Sequence, residues 1–468
     1  MRDITAVVLA AGEGTRMKSD IPKVLHSVRG RPMVQWVIDA CRRAGIQQIV
    51  VVVGHGGTEV RAAVGEGVAW AIQEERKGTA HAVMQARELV SESCEAVVVL
   101  YGDMPCLTGN LLKQVVGCWR RTRPAAVVVS CVREDPSGYG RIIREGDALR
   151  MIVEAADADA AQKCIKEVNA GVYCFDRQVL FQLLPRVGCD NRAGEYYLTD
   201  VIGIMSECGY PVQVFPWHDA DDVLGVNSRA ELAEADRVIR YRLLRELMES
   251  GVTVVDPQTT YVDAGVKVEP DTVIYPFTTL EGRTVVREGC SIGPAAHLRD
   301  SSVGAGCRIY YSVLEGCTVG PGCRIGPFSH LRPGTVLGEG VRVGNFAEIK
   351  NSNVGGSTRI LHHCYLGDAD VGADVNVGAG AVTVNYDGRR KYRTEIGDGA
   401  FIGCNANLIA PLSIGERAYV AAGSTVNQPV PPEALAIARA RQVNKEGWAR
   451  DKLGGREEAR DDGEGVRP

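Results

Sequence analysis

From about residue 250 the chain repeats a pattern every six residues, and few folds accept so short a unit. Aliphatic residues stand at 262, 268, 274, 280, 286, 292 and 298, then, after a slip of one residue, at 303 and 309. A second phase reads Val313, Val319, Ile325, Leu331, Leu337, Val343 and Ile349, followed by Val354, Ile360 and Leu366. A third reads Ile396, Ile402, Leu408, Ile414, Val420 and Val426. Six residues are too few for a strand–helix unit and too regular for hairpins. They suit one short strand and one turn, three to a coil of about 18 residues, so that roughly ten coils stack into a prism. The aliphatic residue points inward, and the phase slips are expected to mark bulges or loops. Of the 54 glycines, 32 fall after residue 250, many directly behind the aliphatic position, as in Ile325-Gly326 and Ile402-Gly403. Small residues there are expected to let the chain turn each corner. The polar interruption from Asn385 to Thr394 is expected to protrude.

The first half follows another grammar. Val-rich runs at 5–11, 48–54, 95–101 and 125–132 alternate with amphipathic stretches at 32–43, 79–90 and 108–120. Strands that read as continuous apolar runs, separated by helices, imply an α/β layer structure with a mostly parallel sheet. Ser228, with Glu231 three residues on, signals a helix start, and Leu232, Ala235, Val238, Ile239, Leu243 and Leu247 carry its stripe to Gly251. The expected divisions are an α/β domain at 1–227, a connecting helix at 228–249, the repeat domain at 250–449, and a charged, unstructured tail at 450–468.

Composition closes other doors. The net charge of −5 argues against a nucleic-acid binder. No apolar run approaches the ~18 residues of a membrane span. The apolar run at 4–11 follows Asp3 and runs into Gly12-Glu13-Gly14-Thr15-Arg16, so it reads as a buried first strand and not a secretory signal. The 15 cysteines show no C-x-x-C pair, which fits small apolar residues in a reducing cytoplasm.

The first strand ends in Leu9-Ala10-Ala11-Gly12-Glu13-Gly14-Thr15-Arg16-Met17. Gly12 and Gly14 allow backbone N–H groups to approach an anion, and Arg16 and Lys23 add positive charge. The spacing fits neither a P-loop nor a dinucleotide fingerprint. With Pro22-Lys23 it resembles the signature of the sugar-1-phosphate nucleotidylyltransferases. Further marks of that family follow in order: Gln73, Gly78-Thr79-Ala80, Tyr101-Gly102-Asp103, Gly138-Tyr139-Gly140-Arg141, Glu154, Asn169 and Asn227. The resemblance implies a Rossmann-like domain. It assigns Leu9, Ala10, Ala11, Gly12, Lys23, Tyr101 and Gly102 to the nucleotide sugar, Gln73 and Gly78-Thr79 to uracil, and Gly140, Glu154 and Asn169 to the sugar. Asp103 stands just past a strand's carboxyl end, where α/β crevices open, and suits Mg²⁺. The resemblance adds Asn227 as the second metal ligand. Arg16 and Lys23 would neutralise charge as a sugar phosphate attacks the α-phosphorus of UTP and pyrophosphate leaves.

In the repeats, His362-His363-Cys364-Tyr365-Leu366-Gly367-Asp368 resembles the H-x-x-Y-[LI]-G-D segment of bacterial glucosamine-1-phosphate N-acetyltransferases. That family's fold is a left-handed parallel β-helix. An amine attacking a thioester must lose a proton, and histidine titrates in the right range. The motif puts this role on His362. The resemblance places Arg332, Lys350, Tyr365, Asn376 and Lys391 on the sugar phosphate, and Ala379, Asn385, Tyr386, Cys404, Ala422 and Arg439 on acetyl-CoA. Arg359 and Ile360-Leu361 depart from the family's usual residues, and Cys404 stands where some relatives carry Ser.

Together the halves resemble the bifunctional uridylyltransferase and N-acetyltransferase family. That implies acetylation of glucosamine-1-phosphate, then uridylylation of N-acetylglucosamine-1-phosphate, supplying UDP-N-acetylglucosamine for cell-wall and lipopolysaccharide precursors. It also implies a homotrimer with acetyl sites between subunits. Two rivals share parts of this pattern. One is another sugar nucleotidylyltransferase with a purely oligomerising prism, opposed by the 362–368 and 385–388 segments. The other is a regulatory subunit of a translation exchange factor, opposed by Arg16, Lys23, Asp103 and Asn227.

Overall fold

The computed structural model describes residues 1, 3–54 and 57–453. The chain forms two compact units, the first ending at Val285 and the second beginning at Val286.

In the first unit, a mixed sheet runs in the order Val212–Pro216, Ala126–Val132, Glu167–Asp176, Ala96–Tyr101, Ile4–Ala10, Gln48–Gly54, Ala69–Gln73. All neighbours are parallel except Glu167–Asp176, which runs against both of its partners. Its register slips between Asn169 and Tyr173, a bulge beside the candidate site. Residues of one strand alternate between two cores. Ala6 and Val8 face helices Met33–Arg43 and Gly109–Thr122, while Val7 and Leu9 face Thr79–Gln85, Arg177–Leu183 and Asp200–Glu207. The continuous apolar runs in the sequence follow from burial on both faces.

Helix Arg229–Glu249 starts at the expected cap. Ser228 Oγ accepts from the Glu231 N–H, but the Glu231 carboxylate reaches past the cap to the Asn227 N–H at 2.7 Å. Its stripe (Ala235, Val238, Ile239) packs on Val28, Met33, Trp36, Cys106, Leu224 and Val226. Arg29 binds Asp236 and reaches Asp263 and the Tyr261 ring. These contacts join the helix and the first repeats to the α/β core, so the compact unit extends beyond residues 227 and 249.

The second unit is a parallel β-helix. Its strands are two to four residues long, and inward residues stack in columns such as Ile309, Ile325, Val343, Ile360, Val377, Ile402 and Val420. The slips in period are corners one residue shorter. In six-residue turns the left-handed residue sits three after the inward aliphatic, as at Gly306, Phe328 and Asn405; in five-residue turns it sits two after, as at Asp300, Tyr311 and Asn351. One inward residue departs from the expected phase. Leu314 is fully buried and Val313 is not, because two short corners flank it. The corner chemistry also differs from expectation, since many left-handed corner residues are not glycine. Behind the aliphatic residue, glycine answers a different demand. A Cβ on Gly403 would lie 2.5 Å from the Ala422 nitrogen of the next coil. The loop 385–394 closes on itself through a Tyr386–Lys391 bridge. The expected unstructured tail is helical at its start, in Trp448–Leu453, and its remainder, 454–468, lies outside the described residues.

Candidate active sites

In the first unit a cavity of about 490 Å³ opens at the carboxyl ends of the central strands. Its walls include Leu9, Ala10, Ala11, Gly12, Lys23, Gln73, Gly78, Thr79, Tyr101 and Asp103, which the sequence had scattered over almost a hundred positions. Gly14 holds φ +68°, and a Cβ there would meet the Lys23 side chain at 2.5 Å, so the loop can fold over Lys23 only without one. Gly12 has nothing within 4 Å of its Cβ position, which leaves its backbone bare toward the cavity. Gly102 donates its N–H to the Leu9 carbonyl at 2.8 Å and ties two strand ends together.

Lys23 Nζ lies 2.5 Å from Asp103 Oδ2 and 2.6 Å from Asn227 Oδ1, and Arg16 donates to the same Asn227 oxygen at 3.0 Å. A carboxylate and an amide oxygen from distant segments therefore aim at one cation. The Glu231 cap at the helix start holds the Asn227 backbone for this.

The three expected sugar contacts lie together beside the cavity. Asn169 donates its N–H to the Gly140 carbonyl at 2.8 Å, and a Cβ on Gly140 would sit 3.5 Å from the Glu154 carboxylate. Asn169 Nδ2 donates to the Tyr173 hydroxyl at 2.6 Å, and Tyr173 interacts with Tyr101 in the cavity wall. Glu154 accepts from Thr199 Oγ1 at 2.9 Å. Burial pushes its carboxyl above the usual range, and the charges of Asp200 and Asp157 add to this, against the Thr199 bond. Gln73 is buried and donates to the Gly78 carbonyl at 3.0 Å. Tyr173 and Thr199 carried no signal in the sequence, because both act through contacts that only the fold creates.

In the second unit, one corner edge of the β-helix gathers residues from five coils. The His363 N–H donates to the Asn345 carbonyl, Gly380 N–H to the His362 and His363 carbonyls, Asn405 N–H to Ala379, and Gly423 N–H to Cys404. Arg439 Nη1 donates to the Ala422 carbonyl at 3.0 Å. His362, Ala379, Cys404, Ala422 and Arg439 thus form one column, about 19 Å long at ~4.8 Å per coil. His362 is exposed, with Nδ1 3.3 Å from Asn345 Oδ1. Asn345 went unnoticed in the sequence, since 17 residues separate it from its register partner His362.

A second edge carries the cations. Lys350 pairs in register with Gly367, and Arg332 Nη1 donates to Glu348 at 2.8 Å. The Lys391 ammonium beside Lys350, then the Arg332 charge, holds Lys350 below the usual lysine range. A Cβ on Gly367 would meet the Tyr365 hydroxyl and the Asn385 amide, so a bare backbone lets both side chains close over the strand. Asp368 accepts from Asn351 and Asn385. Burial works against its ionisation, but these bonds, with Lys391 and Lys350, hold its carboxyl low. Asn385, expected on acetyl-CoA, stands beside these cations through its bond to Asp368. Tyr386 follows in the same loop and donates to the Gly388 carbonyl. Asn376 lies on another face, in register with Arg359 and Phe401.

Two family patterns match the chain: the MobA-like NTP transferase domain over residues 6–239, and the bacterial transferase hexapeptide (six repeats) over 316–351 and 393–428. Curated relatives match nearly end to end. The bifunctional protein GlmU of Brevibacillus brevis is 48% identical over 96% of this chain and 98% of its own. That of Geobacillus thermodenitrificans is 47% identical over 97% and 99%. That of Heliobacterium modesticaldum is 48% identical over 96% and 98%.

Proposed function

Because the chain belongs to the bifunctional GlmU family, we propose that its two units carry out successive steps of UDP-N-acetylglucosamine synthesis. The β-helix transfers acetyl from acetyl-CoA to glucosamine-1-phosphate, and the α/β domain transfers uridylyl from UTP to the product. The functional division falls at residues 1–227 and 250–449, with the helix between them. The observation that carries the reading is the single corner column from His362 to Arg439, long enough for an extended coenzyme arm and beginning at a base.

At that column His362 takes a proton from the sugar amine as the nitrogen attacks the thioester carbon. Asn345 holds the ring, fixing which nitrogen is free. The C–S bond then breaks and coenzyme A leaves as a thiol. Arg332, Lys350 and Lys391 hold the sugar phosphate, with Tyr365 and Asn385 beside it. Tyr386 borders this pocket. Ala379, Cys404 and Ala422 line the acyl arm, and Arg439 takes a phosphate of the coenzyme.

In the α/β domain the Gly12 backbone and the Arg16 and Lys23 side chains hold the triphosphate. Gln73, Gly78 and Thr79 hold the base, and Gly140, Glu154 and Asn169 the sugar. The oxygens of Asp103 and Asn227, both hard donors aimed at one point, fit Mg²⁺, which would neutralise phosphate charge when bound. The sugar phosphate oxygen attacks the α-phosphorus in line, and pyrophosphate leaves. The exposed, mutually stacked rings of Phe328 and Phe346 support a homotrimer. Free thiols at all 15 cysteines suit the cytoplasm.

A paired assay tests the reading: thiol release from acetyl-CoA with glucosamine-1-phosphate, and pyrophosphate release from UTP with N-acetylglucosamine-1-phosphate. His362→Ala should lower the first by about 10²–10⁴-fold and leave the second unchanged. An unmodified protein releasing no thiol would sink the bifunctional reading.

A further inference from the structure

One face of the β-helix carries four arginines in register. Arg308 pairs with Arg324, Arg324 with Arg342, and Arg342 with Arg359. At ~4.8 Å per strand the column is about 14 Å long. All four side chains are exposed. Ser291 pairs below the column and Asn376 above it, so neutral hydrogen-bonding groups cap both ends. Three other arginines of this unit sit on acids: Arg332 on Glu348, Arg393 on Asp370, Arg417 on Glu433. Among the described residues no such bond is found for the four. The turns leading into their strands hold one acid, Glu339.

Like charges side by side on a ladder repel, so the column is the arrangement of a site that awaits anions. A second copy is poorly suited to supply them. Rotation about an axis parallel to the prism would bring equal heights together, and the outward acids on the strands at these heights, Glu315, Glu348 and Asp370, already face His330, Arg332 and Arg393. Single-stranded nucleic acid also fits poorly. In the neighbouring aromatic column Phe328 and Phe346 stack at 5.5 Å and Tyr311 tilts against Phe328 at 5.8 Å, so the ring faces between them are not offered to bases. Guanidinium forks match phosphate oxygens in pairs.

We propose that the Arg308–Arg324–Arg342–Arg359 ladder is a binding site for a linear chain of phosphates, separate from both active sites. The ligand could be a free polyphosphate or the triphosphate of a nucleotide. With glucosamine-1-phosphate saturating the Arg332, Lys350 and Lys391 edge, calorimetric titration of the full chain with sodium tripolyphosphate should find two sites, both weakening as salt rises from about 20 to about 300 mM. Lys23→Ala should remove one. Arg324→Gln with Arg342→Gln should remove the other, weakening it at least tenfold while both enzymatic rates hold. Arg324→Lys with Arg342→Lys, which keeps charge and loses the fork, should fall between and guards against misfolding of the Gln variant. In the Lys23→Ala background, equal affinity for UTP and tripolyphosphate marks a reader of the chain alone; tighter UTP binding marks a nucleotide source. Unchanged tripolyphosphate stoichiometry and affinity in the Gln variant overturns the proposal. So does loss of polyuridylate binding alone.

Discussion

Two glycines of one loop look alike in the sequence and are opposite in physics. Gly14 needs its positive φ and leaves no room for a Cβ against Lys23, whereas Gly12 has open space. Gly14→Ala should therefore destabilise the domain by about 1–2 kcal/mol, read as a lower midpoint of unfolding. Gly12→Ala should leave that midpoint alone and still cut kcat/KM for uridylyl transfer at least about tenfold, because phosphates must approach bare backbone there. Equal effects from both would contradict a ligand-facing Gly12. Glu154 makes a pH-dependent case. Its carboxyl is pushed up in the folded chain, chiefly by burial. Between the ordinary carboxylate value and the raised one, the folded chain holds more protons than the unfolded chain, so stability falls as pH rises through that window. Glu154→Gln should flatten that slope in thermal melts at several pH values. A slope unchanged by the substitution would assign the effect elsewhere.

At the scale of the element, the β-helix corner decides both stability and chemistry. Successive coils approach so closely at Gly403 that an added methyl meets the next backbone. Gly403→Ala should cost about 1–3 kcal/mol, visible in denaturant midpoints, and should lower acetyl transfer as the column bends. The cation edge makes a second prediction. Lys350 is held below its usual range by Lys391 and Arg332, so part of it is deprotonated earlier on the alkaline side than an isolated lysine. A bound sugar phosphate would offset that repulsion and draw a proton back. Calorimetry of glucosamine-1-phosphate binding near about pH 9 should thus depend on the buffer's ionisation enthalpy, in the sense of proton uptake. Lys391→Ala should shrink that dependence, leaving the share due to Arg332, and a buffer-independent enthalpy would count against the pairing.

At the scale of the whole molecule, the helix Arg229–Glu249 packs into the α/β core through Ala235, Val238 and Ile239. A truncation after residue 227 would expose Val28, Met33, Trp36 and Cys106. Such a fragment should aggregate or melt well below one ending at 285, as measured by light scattering and thermal unfolding. Equal behaviour of the two fragments would show the helix to be a mere connector.

Much of the fold was legible from residue spacing, because periods of two, 3.6 and six are imposed locally by strand, helix and coil geometry. The phosphate loop, Asp103 and the 362–368 segment were legible because each is short and continuous. Long-range pairing is different. No spacing tells that Asn345 stands behind His362, that Asn385 donates to Asp368, or that Leu314 displaces Val313 from the core. Those outcomes depend on the lengths of intervening corners, and one residue more or less rotates every later side chain to another face. The sequence by itself determined the two architectures and the chemical types present. Tertiary structure alone decided which of those groups share an edge, because coil stacking converts separations of 17 to 25 residues into contacts.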